Sequence, residues 1–191
     1  MMEGCLITQE LPSISVAEES AARLFSPLTD AGYRWFVLHT RSRQEKAAAS
    51  DLSALGVDFF LPLVRQARYY GRRKRSVELP LFSGYLFARG AQEQIYSVDR
   101  AKRLVGIIRV PIQQQLNWEL RNLHLAIVNK VVLDPYPMLK KGMRVEVRSG
   151  PLRGLQGMIE SRGPASRLVL QVEMLGRAVS LEVDASLLDL I

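Results

Sequence analysis

The middle of the chain combines hydrophobic patterns typical of strands and of helices. Arg34–Thr40 contains four consecutive apolar residues, Trp35–Leu38, which predict a strand buried on both faces. Ser42 and Glu45 have the spacing of a capping box, and Gly56 suits the end of the helix that would follow. The pattern therefore predicts a buried strand followed by a capped helix.

The next segments also have patterns typical of strands and helices. Pro62 interrupts a predicted strand over residues 57–70, and a basic turn over 71–75 precedes its return. Four more elements are predicted: a strand over 84–89, a helix over 92–102, a strand over 105–110 and a helix over 113–130. This order predicts an α+β N-terminal domain over residues 34–130, with one antiparallel sheet and helices on one side.

The last part of the chain has the pattern of short strands and turns. Apolar and polar residues alternate along 143–148, 168–174 and 179–183, and glycines punctuate the segments between them. Residues 142–191 are therefore predicted to form a small all-β, SH3-like barrel. Pro135 and Pro137 interrupt the stretch before it, so residues 131–141 are interpreted as a linker.

Charge divides the chain unevenly. The 191 residues have a formal net charge of +7, but residues 34–130 hold 17 bases and 7 acids, a net of +10. Residues 1–33 have a net of −4 and are predicted to be a disordered acidic leader. The basic excess of the N-terminal domain indicates a polyanionic partner or an acidic surface.

Composition argues against several classes of protein. The only cysteine, Cys5, excludes a disulfide framework, and two histidines, His39 and His124, disfavour a metal site. No carboxylate or nucleophile spacing accompanies them, so we expect no catalytic residue and no cofactor. No apolar run reaches the length of a membrane span, and the N-terminus lacks the basic start of a signal peptide. We expect a cytoplasmic protein that is not an enzyme.

The strand near residue 86 has two chemically different faces. Tyr85 and Phe87 share one face, and Leu86 and Ala88 share the other. If helices cover Leu86 and Ala88, the aromatic pair faces outward and forms an interface patch. The alternative is that the aromatic face is the core, and the residue pattern leaves both possibilities open.

Taken in order, these segments resemble the NusG family of transcription elongation factors. The resemblance covers residues 34–191, and its most specific part is Leu79-Pro80-Leu81-Phe82-Ser83-Gly84-Tyr85-Leu86-Phe87. Ser83 stands where the family usually has proline. The C-terminal part resembles a KOW domain in a set of glycine and apolar positions: Gly142, Val145, Val147, Gly150, Pro151, Leu152, Gly154 and Gly157.

The resemblance implies that the N-terminal domain binds the clamp helices of the largest subunit of RNA polymerase. It implies an outward aromatic face, with an apolar binding patch made of Pro80, Leu81, Phe82, Tyr85 and Phe87. Tyr96 and Ser97 lie where specialised members of the family contact a second polymerase element, the gate loop.

Specialised members also read the non-template DNA strand. By resemblance, the candidate contacts are six basic residues: Arg41, Arg43, Arg72, Arg73, Lys74 and Arg75. Each of them taken alone is better interpreted as a solvated charge. As a cluster they favour contact with nucleic acid or with an acidic polymerase surface.

The KOW resemblance implies a partner for the loop made of Gly150, Pro151, Leu152 and Gly154, either Rho or a small-subunit ribosomal protein. The acidic leader and compact middle segment favour a specialised, RfaH-like paralogue that acts as a monomer in processive antitermination. The alternatives are a housekeeping factor that assists Rho-dependent termination and a ribosome-associated RNA-binding protein. The clean strand alternation over 168–183 predicts a stable β-fold for the C-terminal domain rather than a helical one.

Overall fold

A four-stranded antiparallel sheet, in the order β2-β5-β1-β6, organises the N-terminal domain. The computed structural model describes residues 23–26, 32–70, 73–98, 102–136, 142–162 and 165–191. The N-terminal elements are β1 (Arg34–Thr40), α1 (Glu45–Ala54), β2 (Asp58–Phe60), β3 (Leu63–Tyr70), β4 (Arg73–Pro80), β5 (Tyr85–Gly90), α2 (Gln92–Ser97), β6 (Leu104–Arg109) and α3 (Gln113–Val128). Strands β3 and β4 form a separate hairpin.

Both faces of this sheet are covered by helices. Phe36 and Leu38 pack with Leu52 of α1 and Ile95 of α2 in one apolar cluster. Trp35, Val37 and Phe87 pack in another cluster, together with residues of α3. The prediction of an α+β sheet with helices is confirmed, but their placement on one side is wrong for α3. The physical reason lies in β1, whose consecutive apolar side chains require a cover on each face.

The capping box predicted at Ser42 and Glu45 is replaced by a tertiary contact. Helix α1 starts after Gln44, which makes no side-chain cap hydrogen bond. The buried Glu45 carboxylate instead accepts a hydrogen bond of 2.7 Å from the backbone N–H of Gly84. Gly84 has a φ of +84°, which favours glycine, so Glu45 fixes the turn that leads into β5.

Residues 23–26 correct the prediction of a disordered leader over residues 1–33. Leu24 and Phe25 are buried, and the Phe25 ring lies 6.0 Å from the Trp35 ring, 5.5 Å from the Phe60 ring and 5.2 Å from the His124 ring, between centroids. The buried Arg89 guanidinium donates to the backbone oxygen of Leu24. The Phe25 ring and the Leu24 carbonyl therefore tie residues 23–26 to the N-terminal domain, and the charge pattern of the sequence did not reveal these contacts.

A six-stranded antiparallel sheet forms the C-terminal region, in the order β12-β8-β9-β10-β11-β7. Its strands are β7 (Asp134–Tyr136), β8 (Met143–Val147), β9 (Gln156–Arg162), β10 (Ala165–Val172), β11 (Arg177–Val183) and β12 (Leu188–Leu190). The predicted all-β character is confirmed. Among the described strands the two outer ones, β7 and β12, do not pair, so the sheet is not closed into a barrel.

The predicted linker over residues 131–141 contains strand β7. Asp134–Tyr136 pairs with β11, with Pro135 opposite Val179. Proline lacks a backbone N–H, but an edge strand tolerates it because one side of that strand needs no ladder partner. The chain therefore enters the C-terminal sheet before the point at which the sequence pattern changes.

We predict that Phe25→Ala lowers the free energy of unfolding by about 3–5 kcal/mol, because it leaves a cavity between three aromatic rings. Urea denaturation of the full chain measures the change. The matched control is Tyr33→Ala, whose side chain is 46% exposed and whose removal should change stability by less than about 0.5 kcal/mol. Equal stability of the two variants would contradict the packing described for residues 23–26.

Candidate functional site

The five apolar patch residues lie together, but they are not all exposed. Phe82 and Phe87 are 2% and 0% exposed, with ring centroids 6.3 Å apart at 85°. Pro80, Leu81 and Tyr85 are half-buried. The expectation of an outward aromatic pair is therefore wrong for Phe87, which belongs to the core beneath α3. Tyr85 remains at the edge of that core.

The turn before β5 positions Tyr85. The backbone N–H of Tyr85 donates to the Phe82 oxygen at 3.0 Å, and the N–H of Leu81 donates to the Pro62 oxygen at 2.8 Å. The Tyr85 ring stacks on the His39 imidazole, with centroids 4.9 Å apart and a 15° interplanar angle. These contacts hold a broad aromatic face at one edge of the N-terminal domain.

A cation from the C-terminal sheet lies against this aromatic face. The Arg177 guanidinium, at the start of β11, lies 5.7 Å from the Tyr85 ring centroid. A guanidinium at that distance is attracted to the ring quadrupole, with about 0.5–1 kcal/mol at an exposed site. The C-terminal sheet thus contacts the patch that the sequence analysis identified.

Helix α3 joins the two domains through one continuous core. The cluster that contains Trp35 and Phe87 also contains Leu120 of α3 and Val145 and Leu170 of the C-terminal sheet. The apolar side of the helix was predicted from the spacing of Leu116, Leu120, Leu123 and Ile127. No local pattern indicated that strands from the other domain would complete the same cluster.

The other side of α3 makes polar contacts with the C-terminal sheet. The Trp118 indole N–H donates to Gln156 Oε1 at 2.7 Å, and the Gln156 backbone N–H donates to Asn122 Oδ1 at 2.8 Å. Gln156 Nε2 also donates to Glu146 at 2.6 Å, and the Arg144 guanidinium lies 5.6 Å from the Trp118 ring centroid. Sequence reasoning missed this contact, although a tryptophan on the polar side of an amphipathic helix is a signal for one.

Glu119 is the buried acid of this interface, with 5% exposure. Its carboxylate oxygens lie 3.3 Å from the backbone N–H of Glu173, and Gln115 Nε2 donates to it at 3.1 Å. Burial raises the pKa of Glu119 to about 7, despite the opposing effect of these hydrogen bonds. From the sequence alone, Glu119 looks like an ordinary solvated helix carboxylate.

Tyr96 and Ser97 lie apart from the aromatic patch. They belong to α2, which packs on the sheet face opposite Phe87. Tyr96 is 45% exposed, and its hydroxyl accepts a hydrogen bond from Arg109 Nε at 3.3 Å. The Ser97 hydroxyl donates to the Gln94 oxygen at 2.7 Å. Tyr96 and Ser97 therefore belong to a second surface of the N-terminal domain and do not extend the aromatic patch around Tyr85.

Part of the basic cluster lies at the end of the sheet. Arg41 and Arg43 are exposed in the β1–α1 loop, and the Arg41 N–H donates to the Arg103 oxygen at 2.8 Å. Lys102, also exposed, is a basic neighbour in the chain that sequence reasoning did not single out. Arg72 lies outside the described residues. The others predicted in the turn, Arg73, Lys74 and Arg75, instead begin strand β4.

The candidate partner loop of the C-terminal region is a tight turn. The Arg153 N–H donates to the Gly150 oxygen at 3.1 Å, and Gly154, with a φ of +82°, donates its N–H to the Val147 oxygen at 2.8 Å. Pro151 is exposed, whereas Leu152 is half-buried against the shared core. The apolar side chain of this loop is therefore partly covered.

An open groove of about 760 Å³ runs beside the interface, bounded by α3, residues 25–26 and the loop before β9. Its basic and aromatic lining includes Trp118, Arg121, His124 and Arg153. Within the described ranges, no group of three acidic, histidine or cysteine side chains could hold a metal ion. No helix of that part of the chain is long and apolar enough to cross a membrane.

Comparison with known proteins agrees with the fold of the N-terminal domain. Residues 33–120 match the family model described as "Transcription termination factor nusG". This part of the chain is therefore similar to the NusG family of transcription factors. No curated protein matches the chain.

Two solved structures illustrate the likeness. One, described as "Domain interaction in Thermotoga maritima NusG", has 21% identity and a TM-score of 0.45, covering 83% of this chain and 97% of that chain. The other, an MjSpt4:Spt5 complex in conformation B, has 16% identity and a TM-score of 0.28, covering 82% of this chain and 96% of that chain.

We predict different stability effects for the two aromatic residues of β5. Phe87→Ala should lower the free energy of unfolding by about 3–5 kcal/mol because it empties a buried site. Tyr85→Ala should lower it by about 1–2 kcal/mol because the ring is half-buried. Chemical denaturation of each variant measures both values. An equal decrease in the two variants would contradict the separation of core and surface roles.

Proposed function

We propose that the chain is a transcription elongation factor that binds the clamp helices of the largest subunit of RNA polymerase. The observation that carries the proposal is the match of residues 33–120 to the NusG family model, with Pro80, Leu81 and Tyr85 grouped at the edge of the aromatic core of the same region. Half-exposed apolar and aromatic residues over a rigid core are typical of protein-binding hot spots. The factor acts as a cytoplasmic monomer without catalytic activity or a cofactor.

Access to this surface is regulated by the C-terminal sheet. Arg177 lies against Tyr85, and the same sheet contacts α3 through Trp118 and Gln156. A helix of the polymerase cannot occupy the Tyr85 face while Arg177 covers it. Binding therefore requires the two domains to separate, and the population of the separated form limits the observed affinity.

The regulated surface favours the specialised role, processive antitermination. A factor whose binding face is covered binds fewer polymerases than one whose face is always free, which suits selective recruitment. Leu152 of the C-terminal loop is half-buried against the core that the two domains share, and we propose that it contacts Rho or a small-subunit ribosomal protein once the domains have separated.

In vitro transcription with purified polymerase, with and without Rho, tests the direction of the effect. Read-through of pauses and terminators supports antitermination. Enhanced Rho-dependent release instead supports the housekeeping role. Co-sedimentation with ribosomes without any binding to polymerase would overturn the proposed function.

We predict that removing the side chain of Tyr85 and removing that of Arg177, which lies against it, have opposite effects on the affinity for polymerase. Tyr85→Ala should weaken binding by at least about tenfold, because it removes an aromatic anchor. Arg177→Ala should strengthen binding by about two- to fivefold, because it removes a cation–π contact of the covered form. Titration of the labelled full chain with core polymerase measures both effects.

The control for Arg177→Ala is Arg148→Ala, another exposed arginine of the C-terminal region, which pairs with Asp189 at 3.7 Å. Its removal should leave polymerase affinity unchanged. If Arg177→Ala weakened binding while Arg148→Ala did not, Arg177 would be a polymerase contact rather than part of a cover.

Arg41 and Arg43 are proposed to contact the phosphates of the non-template strand. Both are exposed in one loop, whose Arg41 N–H donates to the backbone oxygen of Arg103, the chain neighbour of the exposed Lys102, and they contribute to the net positive charge of the domain. The hairpin bases Arg72, Arg73, Lys74 and Arg75 are proposed to extend the same contact. Binding through phosphates releases counterions, so it weakens steeply as salt is added.

We predict that replacing Arg41 with Gln and Arg43 with Asn reduces the salt dependence of binding to the elongation complex. Asparagine tolerates the positive φ of 60° at position 43. The slope of log affinity against log salt should fall by about 1 for each phosphate-binding side chain that is replaced. An unchanged slope, measured on complexes with exposed non-template DNA, would contradict the proposed phosphate binding.

A further inference from the structure

We propose that Glu119 is a proton-controlled latch between the two domains, which holds the C-terminal sheet on α3 when neutral and releases it when ionised. The inference deepens the proposed function, because it rests on the covered polymerase-binding surface. It assigns to a single buried carboxyl group the choice between the covered and the open form.

The geometry places Glu119 at the contact between the domains. Its carboxyl group is on the side of α3 that faces the C-terminal sheet, where the backbone N–H of Glu173 lies 3.3 Å from each of its oxygens. Gln115, one turn earlier on α3, donates to Glu119 at 3.1 Å and also donates to the Glu173 carboxylate. One amide group thus bridges two carboxyl groups from different domains.

The charges around Glu119 do not compensate for its ionisation. From the C-terminal region, Glu173 adds a like charge, and Arg144 faces the adjoining cavity but lies over the Trp118 ring. From the loop before α3, Val110, Pro111 and Ile112 offer only apolar side chains on the other side. In the part of the chain that the structure describes, no cation forms an ion pair with Glu119.

Two further titratable groups lie close to the interface. Glu146 is linked to it through Gln156, and His124 faces the Phe25 ring rather than Glu119. Burial lowers the pKa of His124 below its usual value. The uncharged form of His124 is therefore favoured in the folded chain, and its contacts lie within the N-terminal domain.

The direction of the pH effect follows from the proton affinity of the two forms. In the packed form the pKa of Glu119 is about 7, and in the separated form, where water surrounds it, the pKa returns to about 4.5. The packed form therefore binds the proton more tightly between these values. Its ratio to the separated form falls by about tenfold per pH unit as pH rises through that window, and it levels off above it.

Fluorine NMR of the full chain, labelled with 5-fluorotryptophan, tests the latch without polymerase. The two tryptophans report separately: Trp118 lies at the domain contact, whereas Trp35 is fully buried in the N-terminal core and donates to Asn117 at 2.9 Å. Between pH 5 and 9, we expect the Trp118 signal to move toward a solvated environment while the Trp35 signal stays constant. A Trp118→Phe variant assigns the two resonances.

Glu119→Gln should abolish the pH response of Trp118, because an amide keeps the hydrogen-bonding shape without a charge. Glu173→Gln should weaken the response by removing the like charge nearby. The control, Glu93→Gln, changes an exposed carboxylate on α2 and should leave the response intact. To guard against a packed form too stable to open, each titration is repeated with Arg177→Ala.

A pH-independent Trp118 signal in both the wild type and the Arg177→Ala variant would overturn the latch. So would a response that survives in Glu119→Gln. If the latch operates but polymerase affinity does not rise with pH, then the covered surface is not the polymerase-binding surface. That result contradicts the proposed function while leaving the latch in place.

Discussion

The arrangement of the molecule depends on helix α3, which is buried on two sides at once. Leu116, Leu120 and Leu123 bury the apolar side in the cluster that contains Trp35. Trp118 and Glu119 face the C-terminal sheet and make polar contacts with it. Hydrogen bonds exchange with water at little net free energy, whereas returning apolar side chains to water is costly. The interface with the C-terminal sheet contains both kinds of contact, because Val145 and Leu170 belong to the same apolar cluster, and its polar contacts are the part that costs least to break.

This division assigns different physical roles to neighbouring residues of the aromatic patch. Phe87 and Phe82 stabilise the N-terminal domain from within, and Phe25 closes the same core from the start of the described chain. Tyr85 stacks on His39, and the Arg177 guanidinium of the C-terminal sheet lies against its ring. A rigid aromatic core thus supports a half-exposed ring that also contacts the C-terminal sheet.

The sequence predicted the elements better than their assembly. The consecutive apolar residues of β1 and the leucine spacing of α3 lead directly to a sheet and an amphipathic helix. The packing of the C-terminal sheet against α3, however, depends on contacts between segments distant in the chain, such as that of Gln156 with Trp118. Glu45 shows the same limit: its spacing suits a cap, but the N–H of Gly84 gives it a tertiary partner. Local patterns do not encode which of two available partners a carboxylate will take.

The most direct test of a covered binding surface places a photo-crosslinking benzoylphenylalanine at position 85 of the full chain. In the free protein, we expect crosslinks to the segment around Arg177, whose guanidinium lies 5.7 Å from the Tyr85 ring centroid. In the purified complex with RNA polymerase, these crosslinks should be replaced by crosslinks to the largest subunit. Crosslinks to the C-terminal sheet that persist at equal yield in the complex would contradict a binding surface uncovered by domain separation.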